Sequence, residues 1–304
     1  MYDPDFETFA RRAAAGNLIP VCREIFADTE TPVTALMKLA DRPHDKMILD
    51  EVVETKRREV AARKALRSWT TLEKMIAGMP PTRDFKAALD AKTGCAIIAE
   101  VKRRSPSRGL LREDFDPVRI AREYESRGAA AVSVLTDETF FGGCDADLSA
   151  VKRAVSLPLL RKEFIIDPYQ IREARAIGAD AILLIAAILT EVQLRECREL
   201  AASLGLASLV EIHDRKELEK ALAAGAEIIG INNRDLKIFV TDLRTSITLA
   251  PLIPKGRIVV SESGIRTRAE IETLLKAGIR AFLIGETLIV APEIGPKLKE
   301  LLGK

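Results

Sequence analysis

Four near-repeated junctions constrain this chain most. "RGAAAVSVL", "IGADAILLI", "AGAEIIGIN" and "AGIRAFLIG" each place a Gly after a charged segment, then a short turn, then an apolar run. The glycines, Gly128, Gly178, Gly225 and Gly278, are spaced by 50, 47 and 53 residues. Gly there suits a left-handed helix C-cap, since it has no Cβ to clash. Apolar runs such as "CAIIAEV", "AAVSVLT", "DAILLIAA" and "RIVVSES" alternate with helically spaced segments such as "DPVRIAREYESRG" and "TRAEIETLLKAG". Near-continuous apolar strands alternating with helices mean a parallel sheet covered by helices. Each repeat spans two βα units, so the α/β chain from residue 95 onward predicts a (β/α)8 barrel. An open doubly wound sheet competes, but no GxGxxG follows the first strand.

Ahead of the barrel, "ILDEVVETKRREVAARKA" (48–65) predicts a charged helix with i, i+4 pairs. Further helices are expected near "TLEKMIAG" and "TRDFKAALDA", with Thr70 and Thr82 as N-caps. They would close the bottom of the barrel or pack near its top. The net charge of +2 gives no pull toward nucleic acid or a membrane surface, and 5% aromatics argue against a base-stacking platform. Cys22, Cys95, Cys144 and Cys197 lie far apart without a CxxC, which fits a reduced, cytoplasmic protein. No apolar run is long enough to cross a membrane, and "MYDPDFETFARR" lacks the apolar core of a leader peptide.

Chemistry in such a barrel gathers at the C-terminal strand ends. The first strand offers Glu100 and Lys102, two residues apart and so on one side, then Ser105, Pro106 and Ser107. The second ends in "TDETFFGG" with Phe140 and Phe141; the third gives Arg161, Lys162 and Glu163. The fourth is apolar. The fifth gives Glu211, with His213 read as a rim residue. The sixth gives Asn232, Asn233 and Arg234, the seventh Ser261 to Gly264, the eighth Gly285, Glu286 and Thr287. A lone charge at such a place is usually solvated. Three strands carrying an isolated charge in an apolar context must pair those charges or face a polar ligand, because burying them alone costs several kcal/mol each, as an order of magnitude. Two histidines and no clustered carboxylate ligands argue against a metal. "SESGI" and "LIGET" set small residues where strands seven and eight meet helices, the usual phosphate site of such barrels; an ordinary tight turn would look similar.

"IIAEVKRRSPSRG", "SVLTDETFFGG", "PLLRKEFIID", "ADAILLIAAIL", "LVEIHD", "IGINNRDL", "VSESGI" and "FLIGETL", in this order, resemble the motifs of indole-3-glycerol phosphate synthases. The likeness runs from about residue 47 to the end. It implies conversion of 1-(2-carboxyphenylamino)-1-deoxyribulose 5-phosphate to indole-3-glycerol phosphate, with loss of CO2 and water and no cofactor. It assigns Lys162 as general acid for ring closure and Lys102 as a second catalytic Lys on the substrate carboxylate. Glu211 matches a carboxylate that stabilises positive charge or removes a proton, and Glu100 one that orients the lysines. Asn232 and Ser263 join the catalytic set. Ser105, Pro106, Phe141, Arg234 and Glu262 match substrate contacts, with Phe141 lining the anthranilate pocket. Gly264, Gly285 and the amide of Glu286 match phosphate contacts. An acidic side chain beside a phosphate is unfavourable, so the Glu286 carboxylate is expected to point away. The implied partner is the phosphorylated small molecule, with no nucleic acid and no membrane; a monomer is expected, and contact with other tryptophan-pathway enzymes is open.

Residues 1–46 resemble the beginning of the large subunit of anthranilate synthase and then stop, so they are expected to be a poorly anchored fragment ahead of a 47–304 barrel domain. Other readings are a phosphoribosylanthranilate isomerase, a Schiff-base aldolase using Lys162, or a non-catalytic binding protein. The isomerase needs a Cys and Asp pair at other strand ends, which is not found.

Overall fold

The computed structural model describes residues 2–3, 22–23, 45–90, 94–106, 108–234 and 240–304. The chain divides into two units, Met1–His44 and Asp45–Lys304. In the first, Tyr2–Asp3 pairs antiparallel with Cys22–Arg23. Most of the 1–46 extension lies outside the described residues, as does Ser107.

The second unit opens with helices α1 (Asp45–Leu66), α2 (Trp69–Ala77) and α3 (Phe85–Leu89). Eight barrel strands follow: β1 (Ala96–Val101), β2 (Ala131–Leu135), β3 (Leu159–Lys162), β4 (Ala181–Ile185), β5 (Ala207–Ile212), β6 (Ile228–Asn232), β7 (Ile258–Glu262) and β8 (Ala281–Ile284), with a short antiparallel pair, Arg104–Ser105 and Gly109–Leu110, in the loop after β1. Helices α4 (Pro117–Ser126), α5 (Asp145–Ala154), α6 (Pro168–Ile177), α7 (Glu191–Ser203), α8 (Arg215–Ala223), α9 (Arg244–Leu249) and α10 (Arg268–Lys276) connect successive strands. After β8 come α11 (Glu286–Ile289) and α12 (Ile294–Leu302). All neighbours pair parallel, and β8 pairs with β1 through Ala281 and Ala96, so the sheet closes into a barrel and is not an open doubly wound sheet.

Local chemistry explains the element ends. Gly128, Gly178, Gly225 and Gly278 all have positive φ, between 80° and 100°, as helix-ending glycines should. Asp116 and Asp167 cap α4 and α6 just ahead of a Pro, and Thr190–Gln193 and Thr267–Glu270 form capping boxes. Two expected caps move. Ser68, not Thr70, accepts from Thr71 N to start α2, and Asp84, not Thr82, accepts from Ala87 N to start α3. A cap must reach the N–H three residues on, and Ser68 and Asp84 are the residues so placed. Thr82 instead donates to Gly205 O.

Inward-facing side chains stack in layers. Hydrogen-bonded partners circle the barrel from Glu100 to Ser133 to Leu160, falling toward the strand starts. Rising two residues at every second strand restores the height, as the stagger of an eight-stranded barrel requires. This rule groups Ile98, Leu160, Leu209 and Val260 in one odd-strand layer. Ser133, Leu183, Gly230 and Leu283 form the even-strand layer above it. The next odd-strand layer is Glu100, Lys162, Glu211 and Glu262, and from Glu262 the rule leads back to Glu100. Layers of four from alternate strands are the usual filling of this fold, ordinarily bulky and aliphatic. Here one layer is wholly charged. Below it, Phe85 and Leu89 of α3 join the inner apolar cluster, so α3 closes the bottom of the barrel. The outward positions, Ile97, Ala99, Val132 and Val134 among them, pack against the helices.

Candidate active site

The charged layer forms the floor of a cavity of about 240 Å³ at the C-terminal end of the barrel. Lys162 Nζ lies 3.2 Å from Glu211 Oε2 and 3.7 Å from Glu262 Oε2. Glu100 Oε1 receives Lys102 Nζ at 2.8 Å, the same-side ion pair the sequence implied. Two glycines of the even strands leave room for these carboxylates. A Cβ on Gly230 would come within 2.0 Å of Glu262 Oε1, and one on Gly285 within 2.1 Å of Glu100 Oε1.

Three carboxylates so close to each other in a buried layer cannot all ionise freely. Burial pushes Glu262 up to about 8, helped by the charges of Glu211 and Glu100 and opposed by Lys162. Among the described residues its Oε1 has no hydrogen-bond partner. For Glu211, burial also works upward, but Lys162, then His213, and a hydrogen bond from Asn232 hold it below the usual carboxylate range. Lys162 is itself raised: burial disfavours its charge, and Glu211, Glu262 and Glu100 more than offset that. The layer therefore favours an ionised Glu211 beside a charged Lys162 and pushes Glu262 toward its protonated form.

The walls come from several elements. Ser105 and Pro106 from the β1 loop and Phe141 from the β2 loop line one side, with Phe140 and Phe164. The Phe141 and Phe164 rings stand 6.2 Å apart and tilted by 37°. Leu49 and Val52 of α1 complete this apolar wall, so α1 belongs at the top of the barrel.

The β7 and β8 loops supply Ser263, Gly264, Gly285 and Glu286, tied together by Thr287 Oγ1 donating to Ile265 O at 2.7 Å. Among the described residues Ser263 alone has positive φ without being Gly, at 67°. Such a conformation is costly for a side-chain-bearing residue unless its surroundings impose it. Asn233 imposes it: its Nδ2 donates to Ser261 Oγ, Glu262 O and Ser263 O at 3.0, 2.9 and 3.0 Å. Gly264 follows at φ 80°, with Thr241 so close that a Cβ would meet its Cγ2 at 2.3 Å. Asn232 Oδ1 accepts from Arg234 N at 3.0 Å, which fixes the start of the β6 loop.

All fourteen site residues expected from sequence line this one cavity. Two details differ. His213 is no rim residue: its Nε2 is 3.5 Å from Glu211 Oε1, and Nδ1 is 3.0 Å from Glu217 Oε2. Burial lowers its pKa, but Glu217 and then Glu211 raise it overall. Residue parity along β5 was the signal for this. The Glu286 carboxylate, expected to point away from the phosphate, is paired with Arg108 at 3.2 Å and Arg234 at 3.7 Å. Two cations at the mouth attract it more than open solvent does. The α1 contribution and Phe164 were missed, because an amphipathic helix ahead of the barrel carries no sign of which end it covers.

Comparison with known proteins adds a second line. Residues 49–301 match the family described as Indole-3-glycerol phosphate synthase. Proteins of that name from Acidithiobacillus ferrooxidans and Alkaliphilus metalliredigens are each 49% identical, over 257 and 255 residues. Each alignment covers 84% of this chain and 98% of the relative. A solved 3-hexulose-6-phosphate synthase is similar in fold alone, with a TM-score of 0.54 at 14% identity, over 68% of this chain and 98% of that one.

Proposed function

The chain belongs to the indole-3-glycerol phosphate synthase family, and from that premise we propose how its charged layer carries the reaction. The protein converts 1-(2-carboxyphenylamino)-1-deoxyribulose 5-phosphate to indole-3-glycerol phosphate, a carboxy-lyase step of tryptophan biosynthesis.

The substrate has an anionic phosphate, a sugar carbonyl and a carboxylated aromatic ring. The amides around Ser263, Gly264, Gly285 and Glu286 hold the phosphate, since a helix start and turn offer unpaired N–H donors. Phe141 and its neighbours take the ring, and Pro106 and Ser105 cover it. The ring carbon attacks the carbonyl carbon. The carbonyl oxygen takes a proton from Lys162, whose ammonium is held against Glu211 at that height. Loss of CO2 returns the electron pair to the ring. The new hydroxyl then leaves as water, with Lys102 as proton donor, and the neighbouring ring CH2 gives up a proton to form the indole double bond, with Glu211 as the group that accepts this proton or stabilises the positive charge that precedes its loss. Glu100 orients Lys102, and Asn232 orients Glu211. Arg234 meets the substrate carboxylate. Glu262 contacts substrate from beneath. Each step moves protons and electron pairs within the substrate, with no change carried by an outside oxidant or reductant, so no cofactor is called for.

The observation that carries this reading is Lys162, a charged ammonium in an otherwise carboxylate layer beneath an aromatic wall and a cradle of backbone amides. Lys162→Ala should abolish formation of the fluorescent product while leaving the far-UV spectrum unchanged. Near-normal turnover would refute the assignment. We further take the enzyme to act as a monomer in the cytoplasm, and residues 1–46 to be an incomplete fragment with no part in the reaction.

A further inference from the structure

One buried cation stands outside the reacting set and yet connects three parts of the cavity wall. Lys56 of α1 is 1% exposed. Its Nζ lies 2.6 Å from Asp137 Oδ2, 3.0 Å from Glu163 Oε1 and 2.8 Å from Glu59 Oε2. Asp137 and Glu163 follow β2 and β3. Each carboxylate also holds the backbone of an aromatic wall residue. Asp137 Oδ1 accepts from Phe140 N at 2.6 Å and Phe141 N at 2.9 Å. Glu163 Oε1 accepts from Phe164 N at 2.8 Å, and its Oε2 from Thr136 Oγ1 at 2.9 Å. Val52 and Leu49, one and two turns before Lys56 on the same helical face, are themselves cavity wall.

We infer that Lys56 is a positioning residue for the aromatic wall: its ammonium holds the β2 turn, the β3 turn and α1 in one register, and so sets where the substrate ring rests. This rests on the reading of Phe141 as the ring contact. Simple helix anchoring does not require this arrangement. A second, half-buried cluster, Arg63 with Asp145 and Glu173, already fastens α1 farther along, away from the cavity. Lys56 instead grips the two carboxylates that carry the phenylalanine amides. Charge-assisted bonds of this kind are short and directional, so a change in one moves its partners. Neither Lys56 nor Asp137 lines the cavity, so neither touches substrate.

The test is steady-state kinetics of Lys56→Met, Asp137→Asn and Phe141→Ala, with inorganic phosphate as a competing probe of the anion cradle. Asp137→Asn keeps an oxygen for the Phe140 and Phe141 amides and loosens only the link to Lys56, so it carries the test even if Lys56→Met fails to fold. Positioning predicts that KM for the aryl substrate rises about tenfold or more in Lys56→Met and Asp137→Asn, that kcat changes less, and that inhibition by phosphate is unchanged. A merely structural Lys56 would lower the melting temperature and leave KM of the folded enzyme at the wild-type value; that result overturns the inference. If Phe141→Ala raises KM and the other two do not, the inference alone fails. If Phe141→Ala leaves KM unchanged, the ring-contact reading fails and the inference with it.

Discussion

Replacing Gly230 by Ala tests whether the even-strand glycines exist to admit the carboxylates of the charged layer. An added Cβ would stand 2.0 Å from Glu262 Oε1, 3.1 Å from its Cδ and 3.2 Å from Leu209 Cδ1, where 3.4 Å or more is ordinary contact. The carboxylate must therefore retreat by more than about 1 Å to regain an ordinary distance. Glu262 is 1% exposed, so the carboxylate has little free space to retreat into. Overpacking of this kind costs roughly 1–3 kcal/mol. Gly230 is not left-handed, so Ala brings no backbone strain and recovers roughly 0.5–1 kcal/mol of chain entropy. The net loss is about 1–2 kcal/mol, a fall in melting temperature of a few degrees for a domain of this size, on the order of 2–4 °C per kcal/mol. Activity should suffer far more, because moving a group in the reacting layer by about 1 Å can cost roughly a hundredfold in rate. Product fluorescence gives kcat/KM, and a thermal melt gives stability. A variant with wild-type kcat/KM would show that the glycine has no spacing role, and the layer argument would fall.

Two further outcomes are expected. Glu262 is raised from its ordinary value to about 8 in the folded protein, so its contribution to stability is full below the unfolded pKa of 4.5 and is lost as pH rises to 8. Urea unfolding of Glu262→Gln should therefore gain on the wild type across that window, by up to about 1.4 kcal/mol per pH unit, and curves that stay parallel would show that Glu262 ionises normally. Removing residues 1–44, up to the start of α1, should leave kcat/KM and melting temperature nearly unchanged, and a large drop in either would show that the extension supports the barrel.

The barrel was legible because its repeat is built into the glycine junctions and the apolar runs, which are local in sequence. The strand-end residues were legible for a related reason: a charge inside an apolar run, as at Glu100 or Lys162, must find a partner or a ligand. What sequence left open depends on the closure of the sheet. That Glu100, Lys162, Glu211 and Glu262 share one height follows from the stagger between strands, not from any single strand. Gly230 looks like an ordinary weak point in "IIGIN" until Glu262 is placed across from it. Lys56 looks like one of many charges on a solvated helix until α1 is laid over β2 and β3. His213 was misjudged because a histidine past a strand end is usually solvated, and here Glu217, a turn into α8, draws it inward.

The charge balance of the site follows from that geometry and bears on binding. Lys102 answers Glu100 and Lys162 answers Glu211, and the upward push on Glu262 disfavours a third negative charge in the floor. The substrate brings a carboxylate and a phosphate. An ionised Glu262 would add a negative charge close to where the proposed Lys102 contact brings the substrate carboxylate. Had Lys162 been neutral, it could not donate to the carbonyl. The ion pair between Glu100 and Lys102 is thus a resting arrangement. In the proposed mechanism the substrate carboxylate competes with Glu100 for the same ammonium, which Glu100, packed closely on Gly285, holds within reach. A positively charged floor would hold substrate and product alike. A floor whose two ammonium groups are each paired with a carboxylate favours the state in which negative charge develops on oxygen, and that difference is what accelerates a reaction.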